Sequence, residues 1–224
     1  MSRYYEDKLS AEGLRKCYEV APPRIRQYLK AEAGFVASSV RGDDRVLELG
    51  CGYGRVMKPL ASHVGNLVGC DTSLKSLRLA QSIMHSLQNV GLLCADASHL
   101  PFRQASFDAV FCIQNGISAF GVDRQRLIAE AWRATRPKGK LLFSTYSRKI
   151  WKDRLAWFRL QSEASLIGEI DDALTRNGTI VCKDGFQATT LSVAEIKRLF
   201  SQSKARPEIV EVDGSSLFCL VRKS

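Results

Sequence analysis

Four residues at alternating positions could do chemistry together: Glu48, Gly50, Gly52 and Gly54, in the stretch Arg45-Val-Leu-Glu-Leu-Gly-Cys-Gly-Tyr-Gly-Arg55. Glycines so closely spaced let the backbone turn tightly, and a ligand can then lie on it with no Cβ in between. Glu48 puts a carboxylate at the base of that loop, where it would repel a pyrophosphate and suits a cation. Two further acids follow. Asp71 stands about 20 residues past the loop, where a carboxylate can accept from both hydroxyls of a ribose. Asp96 can accept from a ring amino group, and the backbone N–H of Ala97 can donate to the same ring. Each acid alone also fits a helix cap; their order behind the loop is what points to a ligand.

The elements around these residues follow from pattern. Arg45 to Leu49 reads as a short buried strand, and a helix is expected from about Tyr53, with Val56, Leu60 and Val64 on one face. Strands at 66–70, 90–95, 107–113 and 140–146 alternate with helices at 73–87 and 123–135. The first of these helices carries Leu74, Leu77, Ala80 and Met84 on one face. Such alternation predicts a parallel sheet. Asp71 and Asp96 then end strands two and three, at the carboxyl edge where open α/β sheets bind ligands. Two helices precede the first strand, one capped by Ser10 and running to about Val20, the other starting at Pro23. Residues 148–166 form a basic, aromatic helical stretch, and 179–182 with 186–191 a hairpin turned by Lys183-Asp184-Gly185. Ser192 and Glu195 form a capping box, and strands at 208–212 and 217–222 close the chain. The layout is one domain: an N-terminal helical cap over 1–42, a core over 43–147, a lid insertion over 148–191 and a closing helix and strand pair over 192–224.

Three kinds of loop have to be told apart. A dinucleotide fingerprint has Gly-x-Gly-x-x-Gly, but here the third glycine comes one residue early and Arg55 holds its place. A P-loop ends in Gly-Lys-Ser/Thr, which is absent. The spacing Glu48-x-Gly50-x-Gly52-x-Gly54 resembles motif I of the class I S-adenosylmethionine (SAM)-dependent methyltransferases, whose cofactor carries a sulfonium and an ammonium and no phosphate. Ala95-Asp96-Ala97-Ser98-His99-Leu100-Pro101-Phe102 resembles the acidic adenine motif of that family, and Phe107-Asp108-Ala109-Val110-Phe111 its fourth strand. The resemblance runs from about Arg45 to Tyr146. It implies a Rossmann-like, mostly parallel sheet of seven strands with helices on both faces, SAM as cofactor and S-adenosylhomocysteine (SAH) as product. It also implies cofactor contacts at Glu48, Gly50, Cys51, Gly52, Gly54, Asp71, Thr72, Asp96, Ala97, Ile113, Gln114 and Asn115. Thr72 departs from the apolar residue the family often has against adenine, and its methyl can still pack there.

Ile113-Gln114-Asn115-Gly116-Ile117-Ser118-Ala119-Phe120 follows strand four, beside the sulfonium. Its Asn-Gly and Phe resemble small-molecule methyltransferases; the Asn/Asp-Pro-Pro-Tyr/Phe tetrapeptide of nucleic-acid amino-methylating enzymes is absent. Asn115 is placed to orient the acceptor or cofactor, or simply to cap its loop. Tyr4, Tyr5, Tyr18, Arg24, Arg26, Tyr28 and Tyr146 are candidates for the acceptor pocket. No catalytic base is assigned, because in-line positioning supplies most of the barrier reduction for a good nucleophile. His63 and His85 read as structural, and His99 follows the adenine motif.

The 224 residues are 45% hydrophobic and 25% charged, a globular composition. Seven cysteines without a C-x-x-C pair fit neither a disulfide framework nor a zinc site, so no metal is expected. Cys70, Cys94, Cys112 and Cys219 fall in apolar runs where a thiol packs as a small hydrophobe. Residues 1–9 lack an apolar run and no stretch nears the length of a membrane span, so a cytoplasmic protein is expected. Net charge is +10, and basic residues thicken from Arg133 to Arg159, where Asp153 stands as the opposing acid. That permits nucleic-acid binding, though a solvated surface explains it as well. The expectation is methyl transfer to a small molecule. An RNA or protein methyltransferase, or a SAM-binding accessory protein without turnover, are the alternatives.

Overall fold

A computed structural model of the protein describes Tyr4, residues 8–200 and residues 206–224. Seven strands form one sheet: β1 (Arg45–Leu49), β2 (Asn66–Asp71), β3 (Val90–Cys94), β4 (Phe107–Cys112), β5 (Thr135–Tyr146), β8 (Glu208–Val212) and β9 (Ser216–Arg222). Their order is β3-β2-β1-β4-β5-β9-β8. The first five run parallel, and β9 enters antiparallel between β5 and β8. The order reverses between β1 and β4, so the crevice at their carboxyl ends is the switch point where such sheets bind ligands. The expected Rossmann-like sheet is therefore present, with its helical N-terminal segment.

Both faces of the sheet are covered, which is why β4 is buried along its whole length. On one face Leu47, Leu49, Val110 and Phe143 pack with Leu127 and Ala131 of α6 (Arg124–Ala134) and Ile196 of α8 (Val193–Leu199). On the other, Val46, Phe111, Leu142 and Phe218 meet Val36 of α2 (Pro23–Ser39), Met57 of α3 (Met57–Leu60) and Leu77 and Ala80 of α4 (Leu74–Ile83). A third core lies beyond the carboxyl edge. There Cys17 of α1 (Glu12–Glu19) and Ile25 and Tyr28 of α2 pack with Trp157 and Phe158 of α7 (Trp151–Glu163). The hairpin β6 (Thr179–Val181) and β7 (Gln187–Thr189) adds Ile180, Phe186 and Ala188. The N-terminal segment and the insertion thus form one cap. Arg154, only 1% exposed, staples it by donating to the carbonyls of Gly178 and Ala188 and to Thr190 Oγ1.

Several local expectations change. The helix after the loop shrinks to α3 and a 3-10 turn at Ala61–His63, because residues 52–56 are spent on turns. Leu74 is 51% exposed, since it is the first residue of α4 and points off its end, whereas Leu77, Ala80 and Met84 are buried. Cys94 is exposed at the end of the edge strand β3. Ser10 does not cap α1; the helix starts behind Ala11, at φ 49°, whose N–H donates to Ser76 Oγ. The Pro137-Lys138-Gly139 turn lies inside β5, where the pairing with β4 shifts register between Phe107 and Ala109. The capping box at Ser192 and Glu195 forms as expected.

Candidate functional site

The glycine loop leaves the end of β1 at the switch point. Gly50 and Cys51 both donate backbone N–H to the Cys70 carbonyl at 2.8 and 3.0 Å, folding the loop onto the neighbouring strand. Gly50 sits at φ 72°, and a Cβ there would run into the ring of Phe120. Gly52 sits at φ 54° with Leu14 of α1 3.0 Å from where its Cβ would stand. Side chains at these positions would thus meet both backbone strain and a neighbour. Asp71 joins the loop to the next helix: Oδ2 accepts from the Gly52 N–H at 2.8 Å and Oδ1 from the Ser73 N–H at 2.8 Å. Its carboxylate is therefore oriented before any ligand arrives.

Glu48 is 4% exposed and its Oε2 has no hydrogen-bond partner. Burial pushes its carboxyl up to about 8; the Asp71 charge adds to this and Arg55 opposes it. An orphaned buried carboxylate oxygen costs free energy that a cation would recover. The sulfonium and ammonium of SAM fit that requirement.

Farther along the edge, Asp96 is exposed; its Oδ1 accepts from the Ser98 N–H and hydroxyl at 2.7 and 2.8 Å. His99 Nδ1 stands 4.0 Å from its other oxygen. Ala97 is buried, and Thr72 is exposed beside Cys94, whose thiol donates to the Thr72 carbonyl. These residues line the strand-two and strand-three side of the crevice. His63 and His85 are exposed, bonded to nearby backbone carbonyls, and not at the crevice.

On the strand-four side, Ile113 is buried and Gln114 and Asn115 are in left-handed backbone, at φ 56° and 61°. The amide of Asn115 is used within the fold: Oδ1 accepts from Thr145 Oγ1 and Nδ2 donates to the Thr189 carbonyl. It ties β5 to the cap hairpin. Gln114 faces the loop, and its Oε1 accepts from Tyr18 Oη at 2.7 Å and Arg55 Nη2 at 2.8 Å.

Of the acceptor-pocket candidates, the structure gathers Tyr18, Tyr28 and Tyr146 about this edge. The Tyr28 and Tyr146 rings are 5.3 Å apart, and the Arg154 guanidinium lies 4.2 Å from the Tyr146 ring. Tyr4 stands elsewhere in the cap, donating to Asp184 at 2.6 Å. Arg24 pairs with Asp213 at the β8–β9 turn, and Arg26 donates to the carbonyls at the end of α1. These three are tied to cap and surface partners, not to the crevice. Tyr5 lies outside the described residues.

Sequence reasoning missed Glu32. It is 0% exposed, its Oε1 accepts from Ser144 Oγ at 2.6 Å, and Ser144 Oγ accepts from the Gln114 N–H at 2.7 Å. Burial raises its carboxyl, and Arg55 opposes the rise. The signal was present: Tyr28, Glu32 and Val36 share one helix face at i, i+4 spacing, so an acid interrupts an apolar stripe.

A family model described as a methyltransferase domain matches residues 46–139, the span from β1 into β5 that holds the loop, Asp71 and Asp96. Over that span the chain is similar to SAM-dependent methyltransferases. It is 35% identical over 127 residues to the O-methyltransferase rstn1 of Aspergillus nomiae, covering 55% of this chain and 53% of that protein. To the malonyl-[acyl-carrier protein] O-methyltransferase of a Marinomonas species it is 33% identical over 126 residues, 54% of this chain and 45% of that one. The chain thus spans about half the length of the curated relatives it matches. Among solved structures, a SAM-dependent methyltransferase of Thermotoga maritima, described as a possible histamine N-methyltransferase, aligns over 100% of both chains with TM-score 0.66 and 19% identity. The N-methyltransferase NodS of Bradyrhizobium japonicum in complex with SAH covers 99% of this chain, and 97% of that chain is covered, with TM-score 0.66 and 14% identity. These likenesses carry the methyltransferase fold.

Proposed function

We propose that this methyltransferase moves a methyl group from SAM to a small-molecule acceptor by in-line displacement. The observation that carries this reading is the pairing of a cation-seeking glycine loop with a cap closing over the same crevice. SAM, when bound, supplies an activated methyl on a sulfonium. The chain's own residues do the rest. Glu48 faces the positive charge, Asp71 takes the ribose hydroxyls, and Asp96 with the Ala97 N–H takes the adenine. Gln114 and the Tyr18, Tyr28 and Tyr146 edge stand where the acceptor is held in line and water is kept out. Binding and orientation of this kind supply most of what the reaction needs.

The cap bears on the size of the acceptor. Leu14 lies on Gly52, Tyr18 reaches Gln114, and Trp157 Nε1 donates to the Cys17 carbonyl at 2.8 Å. An acceptor inside this enclosure is a small molecule. The division into cap, core, lid and closing pair belongs to the same reading, as does a cytoplasmic site of action. Among the described residues no helix is long and apolar enough to cross a membrane.

The basic run bears on the RNA alternative. Arg133 pairs with Glu130, Arg136 with Asp108, Lys149 with Glu211 and Arg159 with Asp172, while Arg154 is inside the cap. The run is therefore neutralised or buried at these five positions, and a nucleic acid is not favoured as substrate. The test is transfer of labelled methyl from SAM to fractionated metabolites and to RNA in parallel. Label in the RNA fraction with none in metabolites would reverse the ranking, and label in neither, with SAM bound, would favour an accessory protein.

A further inference from the structure

We propose that Arg55 binds the carboxylate of the cofactor's amino-acid end, and that Glu32 is the positioning residue that holds Arg55 in place. The inference rests on SAM being the cofactor. Arg55 directly follows the last glycine of the loop, in the place where a dinucleotide fold would need a third glycine. Its guanidinium is partly buried. Nη2 donates to Gln114 Oε1 at 2.8 Å, and the Tyr18 ring lies 4.7 Å from Cζ. Among the described residues it forms no ion pair. Glu32 and Glu48 act on its charge through space, from beyond direct contact.

A guanidinium so placed still has N–H donors to offer. Its planar fork matches a carboxylate in bidentate fashion, and partial burial strengthens the contact. The surrounding charges also suit an amino acid. Two buried carboxyls accompany one guanidinium, so the site is short of positive charge as well as open to an anion. The α-amino acid end of SAM or SAH brings both, an ammonium for the Glu48 side and a carboxylate for Arg55.

Glu32 does not itself have space for a ligand, being 0% exposed. Its role is structural order transmitted to Arg55. The path runs from Glu32 Oε1 to Ser144 Oγ, from Ser144 to the Gln114 N–H, and from the Gln114 side chain to Arg55 and Tyr18. Glu32 belongs to the helix α2 and Tyr18 to α1, so the amino-acid end of the cofactor is read jointly by the core loop and the cap.

The test compares three ligands by calorimetric titration: SAH, its decarboxylated analogue aminopropylthioadenosine, and methylthioadenosine, which lacks the whole amino-acid end. Wild type should bind SAH at least about tenfold more tightly than the decarboxylated analogue, the effect of one charge-assisted contact. Arg55→Gln should abolish that preference while leaving methylthioadenosine within about twofold, with partial recovery in Arg55→Lys. Glu32→Gln should lower SAH affinity by a smaller factor and again spare methylthioadenosine; a residue that only supported the fold would weaken both alike. Equal binding of SAH and the decarboxylated analogue by wild type overturns the proposal, even if the variants fail to fold. So does an equal loss of all three ligands in Arg55→Gln. Wild type that binds none of the three would instead remove the SAM reading on which the proposal stands.

Discussion

Glu48→Gln isolates the electrostatic character of the site. The glutamine keeps the shape of the glutamate and cannot ionise. In the folded protein burial holds the Glu48 carboxyl up at about 8, with Asp71 adding and Arg55 opposing. In the unfolded chain it returns to an ordinary carboxyl value near 4.3. The folded state therefore keeps its proton over a range in which the unfolded state has lost it. The contribution of Glu48 to stability is greatest below the unfolded value, declines as pH rises between the two values, and is level above about 8. At about 1.4 kcal/mol per pH unit, the gap sets a ceiling of about 5 kcal/mol. Relaxation and water entry into a ligand crevice should reduce this to about 2–3 kcal/mol. Urea unfolding of wild type and Glu48→Gln at pH 5.5, 7 and 8.5 measures it, because other groups titrate alike in both and cancel in the difference. Glu48→Gln should gain on wild type steadily as pH rises. A bound cation reverses the burial effect, so SAM should drive a proton off Glu48 at neutral pH. Calorimetric titration with SAM in two buffers of different ionisation enthalpy should show that release in wild type and not in Glu48→Gln. Parallel stability curves, together with no buffer dependence in wild type, would refute the reasoning.

Three further outcomes follow from the geometry. Asp71→Ala removes a carboxylate that orders Gly52 and Ser73; on the proposed ribose role SAH affinity should drop by tenfold or more, at about 1.5–3 kcal/mol per charge-assisted bond, and titration with SAH and NAD side by side would expose a wrong cofactor. Arg154→Ala leaves the carbonyls of Gly178 and Ala188 without their buried donor; a loss of about 1–3 kcal/mol for each orphaned carbonyl is expected, and hydrogen exchange should show the cap opening before the sheet. RNA should bind only weakly and release near physiological salt, because Arg133, Arg136, Lys149 and Arg159 are ion-paired and Arg154 is buried; filter binding across a salt series gives the slope, and tight retention of one structured RNA would favour the alternative substrate.

The local code for the crevice at the sheet's switch point was legible without coordinates. A buried strand, three glycines and an acid at each of the next two strand ends are short-range features, and strand–helix alternation then admits few topologies. Periodicity also marked the two helices ahead of the sheet and the capping box at Ser192. Where local pattern failed, the tertiary contact had decided: Leu74 kept the right period but lies at a helix end, and Cys94 belongs to an apolar run that became an edge. The acceptor side was not legible for the same reason. Tyr18, Glu32, Arg55, Gln114 and Ser144 come from five separate elements, and what each does depends on a neighbour up to 112 positions away. Composition could not foresee that four residues of the basic run would pair with Asp108, Glu130, Asp172 and Glu211, which stand outside it. The sequence by itself determined the loop, the strand ends and the acids that stand at them, because these depend on residues a few positions apart. The tertiary structure decided which side chains meet across the crevice, because only folding brings the cap helices, β4 and β5 within hydrogen-bond reach of one another.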